Sequence, residues 1–267
     1  MAEPVPGVHW GALAALVFFY GAIFAVGRVA ARRHSEGTAD DLMLARRSMP
    51  LWLGVFTMSA TWVGGGYING TAEATYGLGL VWAQAPWGYA LSLAVGGLFF
   101  ARVMRRHRFT TMLDPLAARY GTRVAALLYV PALTGELFWT GAILTALGTT
   151  LGTVLGLDYG PAIVLSAAVA VSYTLTGGLW AVAFTDVLQL SVFLVGLWIV
   201  VPIAASQVGG VSAAWQVYTD TVGHAALMPP WRGWEASAWG DAYWNWWDSA
   251  LLLVFGGVAW QVYFQRV

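Results

Sequence analysis

The chain has 267 residues, 59% of them apolar and only 10% charged, with zero formal net charge and a mean hydropathy of +0.66. That balance excludes an ordinary water-soluble domain and identifies an integral membrane protein partnered with a lipid bilayer. The absence of cysteine removes disulfides and thiolate metal sites, no basic patch suggests nucleic acid, and no motif sets a nucleophile beside a base, so no enzyme is expected.

Seven apolar stretches match the roughly 20 residues that cross a hydrocarbon core, which predicts an all-α, polytopic membrane protein. The first, 8–27, has no basic residue in its N-terminal flank, whereas Arg28, Arg32 and Arg33 follow it, so it reads as an extra N-terminal helix and not a cleaved signal peptide. With its N-terminus outside, every arginine except Arg232 falls on the cytoplasmic side, including Arg46, Arg47 and Arg266. That asymmetry is the positive-inside pattern of a multi-pass protein of the plasma membrane.

The second stretch, 51–74, is interrupted by Gly64, Gly65 and Gly66 directly after Val63 and Trp62. Unpaired backbone within a bilayer is tolerated only where it is buried in protein or lines a cavity, so a glycine-broken span marks a site for an ion or solute. The third stretch, 80–101, carries Tyr89. Between it and the fourth, Asp114 before Pro115 predicts the start of a small cytoplasmic interfacial helix over 110–120. The fourth, 124–151, carries Glu136 and Trp139, the fifth covers 160–176, and the sixth, 181–206, carries Asp186.

Residues 207–246 hold Asp220, Glu235, Asp241, Pro229, Pro230 and several tryptophans, and predict an extracellular loop with short helical pieces that could act as a lid. The seventh stretch, 247–267, has Gly256 and Gly257 before Trp260. Spans two and seven are thus both broken by glycine next to a Trp, and run in opposite directions. The expectation is an inverted repeat within one transmembrane domain, 1–267, with 51–206 as the first five-helix unit and 247–267 opening the second. Because Val267 follows the last span directly, we expect a fragment, and expect that residues 1–267 alone do not transport.

Sixteen tryptophans need an explanation. An aromatic belt at the membrane interface accommodates Trp10, Trp52, Trp82, Trp180 and the cluster Trp244, Trp246 and Trp247. Trp62, at about 1.5 Å per residue, lies roughly 16 Å into its span, and Tyr89, Trp139 and Trp260 also fall near mid-depth. Helix packing could explain any one of these. Together they form a candidate aromatic box for a methylated ammonium, a cation that donates no N–H hydrogen bond and is held well by aromatic faces.

Four acids lie within or beside spans: Glu73, Glu136, Asp186 and Asp248. Asp186, beside Thr185 in an apolar helix, suits a sodium ion or a proton. Glu136 suits a hydrogen bond to a neighbouring helix as well as a substrate role, while Glu73 and Asp248 suit solvated caps or gate contacts. Free carbonyls at the break in span two, from Ser59 and Trp62, would supply further oxygens to a dehydrated sodium.

Several of these runs also carry a resemblance: FTMSATWVGGGYINGTAEA at 56–74, WAQAP at 82–86, GGLFFA at 96–101, TMLDP at 111–115, GELFW at 135–139 and WQVYFQRV at 260–267. They are similar to the sodium:solute symporter family and, within it, its choline-transporting branch. The run GGLWAVAFTDVLQ at 177–189 is shared with the wider family. The resemblance implies a LeuT-like inverted-repeat fold, truncated here, in which sodium entry drives choline import by alternating access. It implies a choline cage of Trp62, Tyr89, Trp139 and Trp260, and a sodium site involving Ser59, Trp62 and Asp186. Sodium is then the coupling ion and no other cofactor is implied. Uptake of another solute (betaine, proline or a sugar) is one alternative, and a solute-sensing membrane receptor on the same fold is another.

Overall fold

The computed structural model describes residues 9–34, 44–45, 48–222, 226–233 and 239–265. Arg46, Arg47, Glu235 and Arg266 lie outside the described residues. All regular structure among the described residues is helical. Four helical stretches, Trp10–Arg32, Leu80–His107, Thr122–Leu155 and Gly178–Gln207, are long and apolar enough to cross a membrane.

Helix α1, Trp10–His34, runs seven residues past the apolar stretch 8–27. Hydropathy marks the part of a helix that lies in hydrocarbon, whereas Ala and Arg are good helix formers and extend it beyond. Span two divides as expected: α2, Leu51–Trp62, ends where Val63 leaves helical space at φ −86°, ψ 72°, and α3, Gly65–Gly77, resumes after it. Span three opens with a 3-10 turn, Leu80–Trp82, and continues through α4, Ala85–Val95, a π-turn over Gly96–Ala101 and α5, Arg102–His107. The expected interfacial helix is α6, Asp114–Tyr120, and α7 is Thr122–Leu155.

Spans five and six form one stretch, α8, Tyr159–Gln207, broken at Gly178 (φ 58°, ψ −163°). A side chain is strained in that conformation, so the division between the spans rests on a single glycine. In the region 207–246, α9 covers Val211–Val222. Helix α10, Asp241–Gly256, starts six residues before the expected 247. Polar Asp241, Asn245 and Asp248 hide its first turns from a hydropathy reading, although an acid in the first turn favours a helix N-terminus. A 3-10 turn, Gly257–Ala259, then leads to Trp260 in extended conformation and to α11, Gln261–Gln265.

The chain divides into two compact units. One holds 1–66, 109–189 and 264–267. Its core joins Leu53 of α2 to Leu179, Trp180 and Ala183 of α8 and to Ala45, with Met49, Phe184 and Val187 packed against them. Helices α7 and α8 meet so closely that a Cβ on Gly148 would lie 2.4 Å from Ile163 Cγ1.

The other unit holds 67–108 and 190–263, and α10 packs along α4 within it. Gly88 and Ser92 of α4 and Gly96 at the start of the π-turn recur every fourth residue and are all buried. A Cβ on Gly88 would come within 2.7 Å of Leu253 Cβ, and one on Gly96 within 2.6 Å of the Tyr263 ring. A stripe of small residues lets two membrane helices approach and gain dispersion contacts that lipid cannot match.

The same contact corrects the belt assignment of several tryptophans. Trp246 is fully buried, donates its indole N–H to the Val81 carbonyl at 2.7 Å and stacks on Trp87 at 5.7 Å. Gln84 answers by donating to the Trp246 carbonyl at 2.9 Å. Trp82 stacks on Trp239, and Trp180 is buried against Phe184 in the first unit. Trp246, buried with its N–H satisfied, is a core residue, and of the expected belt only Trp10, Trp52 and Trp244 are largely exposed.

Candidate functional site

The expected sodium residues Ser59, Trp62 and Asp186 all lie in the first unit. Helix α2 is mostly apolar, and a break in a helix leaves carbonyls that an unbroken one would pair. Two of these carbonyls differ. Ser59 O accepts the Val63 N–H at 3.0 Å, which closes the last turn of α2, so the expectation of a free Ser59 carbonyl is corrected to one with a single remaining lone pair. Trp62, only 5% exposed, is the last helical residue before the break.

Asp186 meets α2 at Thr57, whose hydroxyl donates to Asp186 Oδ2. Thr57 is fully buried, and its own carbonyl accepts the Thr61 hydroxyl at 2.8 Å. At about 1.5 Å per residue, Thr57 lies roughly 7 Å along α2 before Trp62, so Asp186 docks about a turn and a half from the break. Thr185 beside it turns its hydroxyl back to Val182 O at 2.8 Å, and packs against Gly27 of α1. A carboxylate held by a buried hydroxyl is oriented, and oriented oxygens suit a hard cation. Thr57 escaped the sequence reading; in the sequence it is one of three hydroxyls, with Ser59 and Thr61, in an otherwise apolar run.

Of the four expected cage aromatics, Trp62 and Trp139 belong to the first unit and Tyr89 and Trp260 to the second. In the first, the start of α3 presses on α7: a Cβ on Gly65 would lie 2.2 Å from Ala146 Cβ. Trp139 is two turns from Ala146 on the same side of α7, so it occupies the α7 face that meets the break. Half-buried Glu136 precedes it by one turn.

In the second unit, half-buried Tyr89 stacks on Tyr67 with centroids 6.2 Å apart. Tyr67 follows the triple glycine directly and was not singled out from sequence. Trp260 is half-buried, and its extended backbone (φ −83°, ψ 136°) makes it the break of the last span itself, one residue beyond the 3-10 turn. Spans two and seven therefore share a Trp at an interrupted helix, Trp62 as the final helical residue and Trp260 as the extended one. Glu73 and Asp248 are exposed.

Outside the spans, Asp114 holds the turn before α6. It accepts the Thr110 N–H at 2.6 Å, the Thr111 N–H at 2.9 Å and the Thr111 hydroxyl at 2.6 Å. Burial works against its charge, but these three hydrogen bonds outweigh it and hold the carboxyl below the usual aspartate value.

The profile of the sodium:solute symporter family matches residues 42–267. The chain is 48% identical over 264 residues to high-affinity choline transporter 1 of Drosophila melanogaster, covering 97% of this chain and 40% of that protein. It is also 48% identical over 266 residues to the high affinity choline transporter 1 of Homo sapiens, covering 97% and 44% respectively. Sodium/glucose cotransporter 1 of Sus scrofa is 29% identical over 218 residues, covering 79% of this chain and 32% of that protein. The chain thus spans less than half the length of these relatives. A family match that runs from before α2 to the end of the chain, over both broken spans, leaves one conclusion: the chain belongs to the sodium:solute symporter family.

Proposed function

We propose that this chain forms part of a sodium-coupled symporter that imports choline by alternating access. The observation that carries the reading is the 48% identity, over almost the whole chain, to proteins named as high-affinity choline transporters, against 29% over a shorter stretch for a sodium/glucose cotransporter. Physical chemistry agrees with it. Trp62, Tyr89, Trp139 and Trp260 offer aromatic faces to a quaternary ammonium, which a sugar site rich in hydrogen-bonding groups would not need. Ser59, Trp62 and Asp186 are the oxygens for sodium, with Thr57 positioning Asp186.

The proposed organisation is an inverted repeat, 51–206 followed by 247–267, in the plasma membrane with the N-terminus outside. Its support is the pair of Trp-bearing broken spans and the arginine asymmetry. The test is radiolabelled choline uptake by the full-length protein in proteoliposomes. Uptake should require an inward sodium gradient and be competed by excess unlabelled choline. Sodium-independent uptake, or none by folded protein, would sink the reading.

A further inference from the structure

Beyond transport, we propose that α1 carries a binding site for one anionic phospholipid. An open groove of about 450 Å³ runs between α1, α7 and α8 in the first unit, lined by Leu13, Val17, Phe24, Leu151 and Val169 among others, with Gly21 in its wall. A smaller pocket of about 260 Å³ adjoins it, lined by Phe24, Arg28, Ala31 and Arg32. Phe24 lines both, so the two lie end to end along α1. The α1 residues Leu13, Val17, Gly21, Phe24, Arg28 and Arg32 recur at three- and four-residue spacing, which places them on one helix face. That face is apolar for most of its length and cationic at one end.

The charge pattern selects the occupant. Arg28 and Arg32 are both exposed. Arginine binds phosphate oxygens through a planar fork of donors, and two such forks one turn apart face a single phosphate group. From Arg28 the groove extends along α1 to Leu13, roughly 22 Å at about 1.5 Å per residue, which exceeds the half-thickness of a hydrocarbon core of about 30 Å. An acyl tail therefore fits in the groove while its phosphate stays at the arginines. A sterol would fill the apolar part but leave both cations unanswered.

Native mass spectrometry of the full-length chain, titrated with phosphatidylglycerol and phosphatidylcholine of identical tails, tests this. Phosphatidylglycerol should be retained about 10-fold more strongly, since basic residues near the headgroups favour anionic lipid. The double change Arg28→Gln with Arg32→Gln should abolish the preference, and Arg28→Lys with Arg32→Lys should keep it. A side chain can start at Gly21 without a clash, because a Cβ there meets nothing within 4 Å, and Gly21→Trp then places its ring in the groove. It should lower retention of both lipids in a protein that remains monodisperse. Equal retention of the two lipids, a preference that survives the glutamine changes, a groove indifferent to Gly21→Trp, displacement by a sterol, or no lipid retained at all would each overturn the proposal.

Discussion

Thr57 and Asp186, 129 residues apart in sequence, are joined by a hydrogen bond in which the buried threonine hydroxyl donates to the carboxylate. It ties α2 to α8 at a point where a hydroxyl of the broken helix meets an acid of the long one. The carboxylate gains a fixed direction from it. The threonine is fully buried, so the donor it offers Asp186 is held in place by packing.

Thr57→Val keeps the side-chain shape and removes the donor. A hydrogen bond to a charged group contributes about 1.5–3 kcal/mol, so the sodium concentration for half-maximal choline uptake should rise on the order of 10-fold. Choline KM at saturating sodium should change far less, and Thr57→Ser should restore the sodium response. A sodium titration of uptake by the full-length protein measures all three. An unshifted sodium dependence in Thr57→Val would remove Thr57 from the ion site.

Trp62→Ala and Trp260→Ala should each weaken choline binding by about 5- to 30-fold, since a desolvated cation over an indole face is worth roughly 1–2 kcal/mol. Phenylalanine at either position should recover part of the loss, because a smaller aromatic face remains. Competition binding with choline and with an uncharged isostere separates cation recognition from packing. Equal losses for both ligands would mean that these tryptophans only fill space.

Much of this was legible in the sequence because a bilayer imposes one rule, that backbone must be paired unless it lines a site. Hence the breaks after Trp62 and around Trp260, and the placement of Asp186 within a helix, could be read directly. What hydropathy could not separate was Trp246 from a belt residue, since in a membrane an apolar side chain is at home facing either lipid or protein. The Gly88, Ser92 and Gly96 spacing was the signal that α4 packs closely, and Trp246 lies on the helix it packs against. Thr57 was silent for a different reason: its role is defined by a partner 129 residues away.

The α4 stripe gives a stability prediction. Gly88→Ala would place its new carbon 2.7 Å from Leu253 Cβ, an atom fixed to the α10 backbone, so the helices must separate. Overpacking of this kind costs about 1–3 kcal/mol, and thermal unfolding followed by fluorescence-detected size exclusion should show a lower midpoint. Gly70→Ala, on α3 with nothing within 4 Å of its Cβ, is the control and should be neutral or slightly stabilising. If both variants unfold alike, the close approach of α4 and α10 is not what holds the second unit together.

The turn before α6 should respond to acid in a definite direction. Because Asp114 has a folded-state pKa below its unfolded one, its contribution is fully present above the unfolded value of about 3.9 and fades as pH falls through the lower, folded value. Hydrogen-exchange protection of the Thr110 and Thr111 amides should therefore hold from neutral pH down to about 4 and drop below it. Asp114→Asn removes the charge that strengthens three hydrogen bonds, so protection at neutral pH should already be reduced to the level of the acidified wild type. Comparing protection factors, not raw exchange rates, cancels the intrinsic pH dependence of the chemistry. A variant protected like the wild type at pH 7 would show that the carboxylate charge does not organise this turn, and that Pro115 and the short helix behind it suffice.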